Sequence, residues 1–143
     1  MQETTLPELR CMCASLRRAS RVITSAYDEA LRETGLRSTQ FSLLQALEHG
    51  GELTQGELGE RLAIDTTTLT RSLRPLISEG LVASVRGDDR RERRLRLTAK
   101  GNERKRDATT AWNGVQSRLK RRLGAQMWER LTEDLRFTAS VVV

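Results

Sequence analysis

From Leu9 to Leu31 the apolar side chains fall at Leu9, Met12, Cys13, Leu16, Ala19, Ile23, Ala26, Tyr27, Ala30 and Leu31. Steps of three and four residues place them on one face of a long amphipathic helix, which Thr34-Gly35 ends, Gly35 being suited to a left-handed C-terminal position. A second helix is expected from Ser38 as N-cap, with Phe41, Leu44 and Leu47 on one face before His49-Gly50-Gly51 breaks it. Thr54 stands three residues before Glu57, the spacing at which each side chain satisfies the other's backbone amide. It therefore predicts the start of a short third helix in which Leu58 and Leu62 face inward. Ala63-Ile64 makes a tight connection, and Asp65 caps a fourth helix with a buried stripe of Leu69, Leu73, Leu76 and Ile77, closed by Gly80. Pro75 lies inside this pattern and conflicts with it, because proline lacks a backbone donor and crowds the preceding turn.

Beyond Gly80 the period shortens to two. VASVR from Val82 and RRLRLT from Arg93 read as two short strands around a polar turn at 87–92, a β-hairpin. Thr98 caps a long polar helix running to about Lys120, and a last helix carries Leu123, Met127, Leu131 and Leu135 at spacings of four. The fold class predicted is mainly α with a small β-hairpin. Short helix, tight turn, helix and hairpin in that order make a winged helix-turn-helix over 36–98, with helical segments 9–34 and 99–143 around it in a single domain, 1–143.

Composition sharpens this picture. Aromatic residues make up only 3% of the 143, so aliphatic side chains must fill the core. No apolar run approaches the roughly 20 residues of a membrane span, and MQETTLPELR lacks the basic and apolar blocks of a secretory signal, so a cytoplasmic chain with no membrane partner is expected. Lys and Arg total 25 against 19 acids, net +6, and the stretch 86–106 alone carries ten bases and four acids. The whole excess therefore sits in the hairpin and the start of the next helix, which points to a polyanion partner. All but three of the bases are Arg, whose planar fork holds a phosphate or a guanine edge through two hydrogen bonds. Double-stranded DNA is the simplest such partner.

On the fourth helix the exposed positions near the N-terminus are Thr66, Thr67, Thr68, Thr70, Arg71 and Arg74. Threonine hydroxyls can donate to phosphate or base acceptors while their methyls touch thymine, and Arg71 or Arg74 can pair with guanine or clamp the backbone. At the hairpin tip, Arg90, Arg91 and Arg93 stand beside Asp88 and Asp89. There one Arg is expected to enter a narrow minor groove while an Asp orients another.

Three stretches carry a resemblance to a known family: LRSTQFSLLQAL (36–47), LTQGELGERLAIDTTTLTRSLRPLISEGLV (53–82), and the wing Asp89-x-Arg91 followed by Leu97-Thr98 and Gly101. In these the chain resembles the MarR family of bacterial transcriptional regulators across nearly its full length. The resemblance implies a homodimer with interlocked first and last helices, two wings straddling a pseudo-palindromic operator, and an effector or oxidant that loosens DNA binding. It implies Arg91 with Asp89 as its partner in the wing, and a recognition-helix start at Thr66 to Thr68. Arg90 and Arg93 are added on charge alone. It further implies an effector cleft between the dimer helices and the winged domain. Ser15, Arg18 and Phe41 are expected to line that cleft, the Arg favouring a small anionic effector such as an aromatic carboxylate. Dimerisation has separate support, since the apolar faces of the first and last helices outrun what a three-helix unit could cover.

The remaining chemistry is sparse. Cys11 and Cys13 are the only thiols, and on a continuous helix two residues turn about 200°, which separates them. They read either as small buried hydrophobes or as a thiol sensor of oxidant or soft metal. His49, the sole histidine, reads as a solvated helix-end residue, and no metal site or cofactor is expected. Trp112 and Trp128 read as helix packing or as part of the dimer interface. An enzyme is disfavoured, because H-E-x-x-H, G-x-S-x-G and G-x-x-x-x-G-K-[ST] are all missing. The expected function is a sequence-specific DNA-binding transcriptional regulator, in the sense of a repressor. The alternative is a basic helical module that binds RNA or a protein partner, although the predicted strands contain no aromatic on which a base could stack.

Overall fold

The computed structural model describes residues 6–89 and 91–142. Helix α1 is Met12–Leu31, followed by a 3-10 turn at Arg32–Thr34 and then α2 at Ser38–Gly50. Strand β1 is Leu53–Thr54, α3 is Gln55–Leu62 and α4 is Thr66–Ser78. Strands β2, Val82–Arg86, and β3, Arg93–Leu97, form the hairpin, and α5, Ala99–Leu123, and α6, Ala125–Val142, complete the chain. The predicted winged helix-turn-helix is present. Its sheet is antiparallel in the order β1-β3-β2, with Leu53 opposite Leu95 and Ser84 opposite Leu95 from the other side.

Local chemistry sets most boundaries as expected. The Thr54 hydroxyl accepts the Glu57 amide at 3.1 Å while the Glu57 carboxylate accepts the Thr54 amide at 2.7 Å. Asp65 and Thr98 cap α4 and α5, and Gly35 has φ +72°. Ala63 adopts a left-handed φ of 49° in the tight turn between α3 and α4. Helix α4 continues through Pro75 to Ser78, and the Pro75 carbonyl accepts the Glu79 amide at 2.9 Å; the proline costs the helix one backbone donor without ending it there.

Several expectations are corrected. Helix α1 starts at Met12 rather than Leu9, with Cys11 as its extended N-cap. Arg37, not Ser38, is the N-cap of α2; Ser38 is buried and its amide donates to Asp28 Oδ1 at 2.7 Å, so α1 supplies the acceptor that a capping hydroxyl would have supplied. Helix α5 runs on to Leu123, which ends it instead of opening the last helix; the chain breaks at Gly124, and the spacing of four simply carries across the break. Ile77 is exposed rather than part of the buried stripe. Strand β1 went unforeseen, since two residues are too short to show a period.

The core is aliphatic, as composition required, and lies between α2, α3, α4, the sheet and the first half of α5: Leu31, Leu43, Leu44, Leu47, Leu58, Leu69, Leu76 and Leu81 are among its buried members. One aromatic cluster joins the layers. Trp112 of α5 stacks on Phe41 of α2 at 4.3 Å between ring centroids, and Tyr27 of α1 approaches the same indole at 4.2 Å. Trp112 is therefore core packing.

A polar junction ties the end of α4 to α5. The Thr98 hydroxyl lies 2.6 Å from the Gly80 carbonyl, Lys100 Nζ donates to the Glu79 carbonyl at 2.8 Å, and Arg104 reaches both the Thr34 carbonyl at 3.2 Å and the Glu79 carboxylate at 3.5 Å. Gly101 is required here: a Cβ on it would come within 2.1 Å of the Leu81 carbonyl oxygen. The far ends of α1 and α6 are less covered. Met12, Leu16, Val22 and Ile23 on α1 are exposed, as are Met127, Leu131, Leu135, Phe137 and Val141 on α6. No helix among the described residues is long and apolar enough to cross a membrane.

Candidate DNA-binding surface

Thr66, Thr67, Thr68, Thr70, Arg71 and Arg74 are all exposed on α4, while Leu69, Leu73 and Leu76 anchor its opposite face. Amphipathic periodicity thus fixes which side of the helix faces outward. The four threonines are not equivalent. Asp65, extended at φ −65°, accepts the Thr68 hydroxyl at 2.6 Å and the Thr68 amide at 2.9 Å, so that hydroxyl is spent on the cap. The Thr70 hydroxyl donates to the Thr66 carbonyl at 2.8 Å and accepts from Gln55 Nε2 at 2.6 Å.

The Thr68 hydroxyl, then the Thr68 amide, holds the Asp65 carboxyl below its usual range, and the Thr54 amide does the same for Glu57. Both are carboxylates whose folded value is depressed. Their stabilising contribution is present above the unfolded value of about 4 and is lost as pH falls below it. The melting temperature is accordingly expected to drop as pH falls below about 4, and to drop less steeply in Asp65→Asn, which keeps a capping oxygen without the titrating charge. Parallel melting curves against pH for the two proteins would contradict this.

In the wing, the register Arg86 opposite Arg93 is followed outward by the Gly87 amide donating to the Glu92 carbonyl at 2.9 Å. Asp89 Oδ1 accepts the Arg91 backbone amide at 3.0 Å. Asp89 and Arg91 thus meet through the main chain: the carboxylate shapes the turn that carries the exposed Arg91 side chain. Arg93 and Asp88 are exposed too, and Arg90 lies outside the described residues. Arg94, by contrast, turns inward, pairing with Glu92 at 3.2 Å and donating to the Glu52 carbonyl at 3.3 Å. Glu92 is thus a brace within the basic wing.

One groove joins the two halves. Gln55, Thr70, Leu73, Arg74 and Ile77 line it from the helical side, and Ser84, Arg93 and Leu95 line it from the sheet. Arg74 and Arg93, far apart in sequence, share its walls. Gln55 and Ser84 were not anticipated, because nothing in the local pattern marks a polar residue that meets its partners through tertiary packing.

The sensing candidates are scattered. Phe41 is a fully buried core residue. Ser15 donates to the Leu9 carbonyl at 3.1 Å and Arg18 to the Pro7 carbonyl at 2.6 Å, so both hold the segment before α1. The three do not converge on a cleft among the described residues. Cys11 and Cys13 are free and exposed in the single chain, so nothing within it buries them. Because Cys11 lies in extended chain outside the helix, the 200° rotation argument does not separate the pair either. Among the described residues no group of His, Cys, Asp and Glu could hold a metal.

The MarR-family sequence pattern matches residues 34–94. The chain is 38% identical to the transcriptional regulator MosR of M. tuberculosis, solved in complex with DNA, over 93% of this chain and 96% of that one, with a TM-score of 0.85. It is also 33% identical over 89 residues to the HTH-type transcriptional regulator YwoH of Bacillus subtilis (strain 168), covering 62% of this chain and 65% of YwoH. With SarZ, an HTH-type transcriptional regulator of Staphylococcus epidermidis, identity is 34% over 86 residues, covering 59% of this chain and 58% of SarZ. The chain thus spans less than two thirds of the length of these two curated relatives, whereas the MosR match is almost end to end. All three are named as transcriptional regulators rather than enzymes. On the winged helix, the wing motif and these matches together, the chain belongs to the MarR family of transcriptional regulators.

Proposed function

We propose that the protein binds a pseudo-palindromic DNA operator as a homodimer and represses transcription by occupying it. The observation that carries this reading is the shared groove in which Arg74 of the recognition helix α4 and Arg93 of the wing stand together. In this reading Thr66, Thr67 and Arg71 approach base edges in the major groove, and Arg74 contacts the backbone. Arg91, Arg93 and Arg90 serve the flanking minor groove, with Asp88 and Asp89 shaping the tip. Thr68 and Thr70 take a different part, because their hydroxyls are already engaged within the protein. The regions 9–34 and 99–143 form the dimerisation layer, and their exposed apolar residues supply the surface.

Selection of duplexes from a random pool with the purified protein tests the reading. Recovery of a motif with two half-sites about 10 bp apart supports it. Preference for an RNA pool over the duplex pool would overturn it in favour of the RNA-binding alternative.

Release from the operator is assigned to a small anionic effector or to the two exposed thiols. For the thiols the expected outcome is that peroxide or a soft metal frees DNA from the wild type and not from Cys11→Ser. Equal release from both proteins in a gel-shift assay removes Cys11 from the mechanism.

A further inference from the structure

We propose that Gln55 is a positioning residue for sequence reading: its amide, locked onto Thr70, fixes how α4 presents Thr67 and Arg71 to a base pair. The inference rests on the DNA-reading assignment above and adds a residue outside the recognition helix to it.

The backbone of Gln55 is itself fixed. It is the first residue of α3, directly after Thr54, and the reciprocal bonds between Thr54 and Glu57 hold that turn at both ends. From this fixed start Nε2 crosses to Thr70 Oγ1 at 2.6 Å, a bond spanning 15 residues of sequence. The Thr70 hydroxyl has one proton, which goes to the Thr66 carbonyl at 2.8 Å, so toward Gln55 the hydroxyl can only accept. The roles are thereby determined: amide donates to hydroxyl, hydroxyl donates to carbonyl. That chain runs from α3 through the side of α4 to its first turn, where Thr66 and Thr67 lie.

Thr70 and Arg71 are neighbours on α4, and Thr67 lies one turn before Arg71. Holding Thr70 from α3 therefore restrains rotation of α4 about its own axis at the level where Thr67 and Arg71 project. The apolar side of the two helices belongs to the common buried core, to which α3 gives Leu58 and α4 gives Leu69. Aliphatic contact is non-directional, so it sets separation better than rotation. Gln55 also lines both grooves that flank α4, one with Asp65 and Thr66 and the other with Arg74 and Arg93, so it stands at the centre of the proposed interface.

The test compares binding of the 143-residue chain to its selected operator with binding to a mixed-sequence duplex at one salt concentration. Gln55→Met and Thr70→Val keep size while removing one partner each; Thr70→Ser keeps the hydroxyl. Each of the first two variants is expected to lower the operator-to-mixed-sequence affinity ratio severalfold, up to about tenfold, while the melting temperature falls by no more than a few degrees, as for one lost exposed hydrogen bond. The double variant is expected to lose no more than either single variant, and Thr70→Ser to bind like the wild type. Losses that multiply in the double variant, an unchanged ratio in Gln55→Met, or equal weakening on both duplexes would overturn the joint. A wild type without preference for any duplex would instead overturn the DNA-reading assignment, and that result is visible before any variant is made.

Discussion

Leu131→Glu combined with Leu135→Glu is expected to give a folded monomer that has lost operator binding. In the isolated chain Leu131 and Leu135 are 37% and 46% exposed, and Met127, one turn earlier, is 51% exposed. On α1 Met12 is 72% and Val22 60% exposed. A single large apolar side chain fully buried contributes about 1.5–3 kcal/mol, so a stripe of this length left in water is a substantial unused driving force. In the proposed dimer, pairing two copies through α1 and α6 would cover it and bring two α4 helices to one face of a duplex. Two glutamates replacing leucines in that seam remove two apolar side chains and place charge where burial must desolvate it, which opposes pairing. The loss of linkage then removes avidity: one half-site held alone binds about 100-fold or more weakly than two held together. The readouts are mass by light scattering, operator affinity, and helical content by circular dichroism, which stays constant because α6 packs on little besides α5 within its own chain. A variant that remains a dimer would place the interface elsewhere.

Arg91→Ala is expected to weaken operator binding at least about tenfold at moderate salt while leaving the dimer mass unchanged. The Arg91 side chain is exposed at the tip, its backbone amide held by Asp89. Removing the guanidinium takes away the contact and leaves the turn intact. In the proposed dimer two wings would meet each operator, so the single substitution would delete two contacts. If Arg91 meets phosphate or the minor groove, the dependence of affinity on salt becomes shallower as well, since fewer counterions are released on binding. Arg94 makes a useful contrast. It spends its guanidinium on the Glu92 carboxylate and the Glu52 backbone carbonyl, so its substitution is read as wing stability and its charge does not enter the salt dependence in the same way. Unaltered affinity of Arg91→Ala in a gel-shift titration would remove the wing tip from the interface.

The parts of this surface that were legible in the sequence are those fixed by short offsets. Thr54 with Glu57, Asp65 before Thr66, and Thr98 before Gly101 each act across three residues or fewer, and all three caps are where the spacing put them. The outward face of α4 followed from the period of Leu69, Leu73 and Leu76 in the same way. What escaped depends on contacts between distant segments. Ser38 is helical because Asp28 on another helix takes its amide, and β1 exists because Leu53 finds Leu95. Ile77 has the right period for the core and lies instead on the groove beneath the wing. Gln55 carries no signal at all until α3 and α4 are brought together. Glu92 is similar: in the sequence it is an acid that dilutes a basic hairpin, and in the fold it anchors Arg94. The apolar stripes of α1 and α6 were visible from the start, yet a single chain leaves them uncovered.

The central claim, that α4 lies along the duplex while the wing tip grips its flank, twice over about a twofold axis, is tested most directly by chelate-directed cleavage. An iron chelate is attached at Thr67→Cys in a protein whose Cys11 and Cys13 are replaced by serine, and the operator strands cut by it are mapped. The account predicts two cleavage clusters, symmetric about the operator centre and about 10 bp apart, each inside a half-site major groove. A single cluster, cuts scattered evenly along the duplex, or cleavage only outside the half-sites would contradict it.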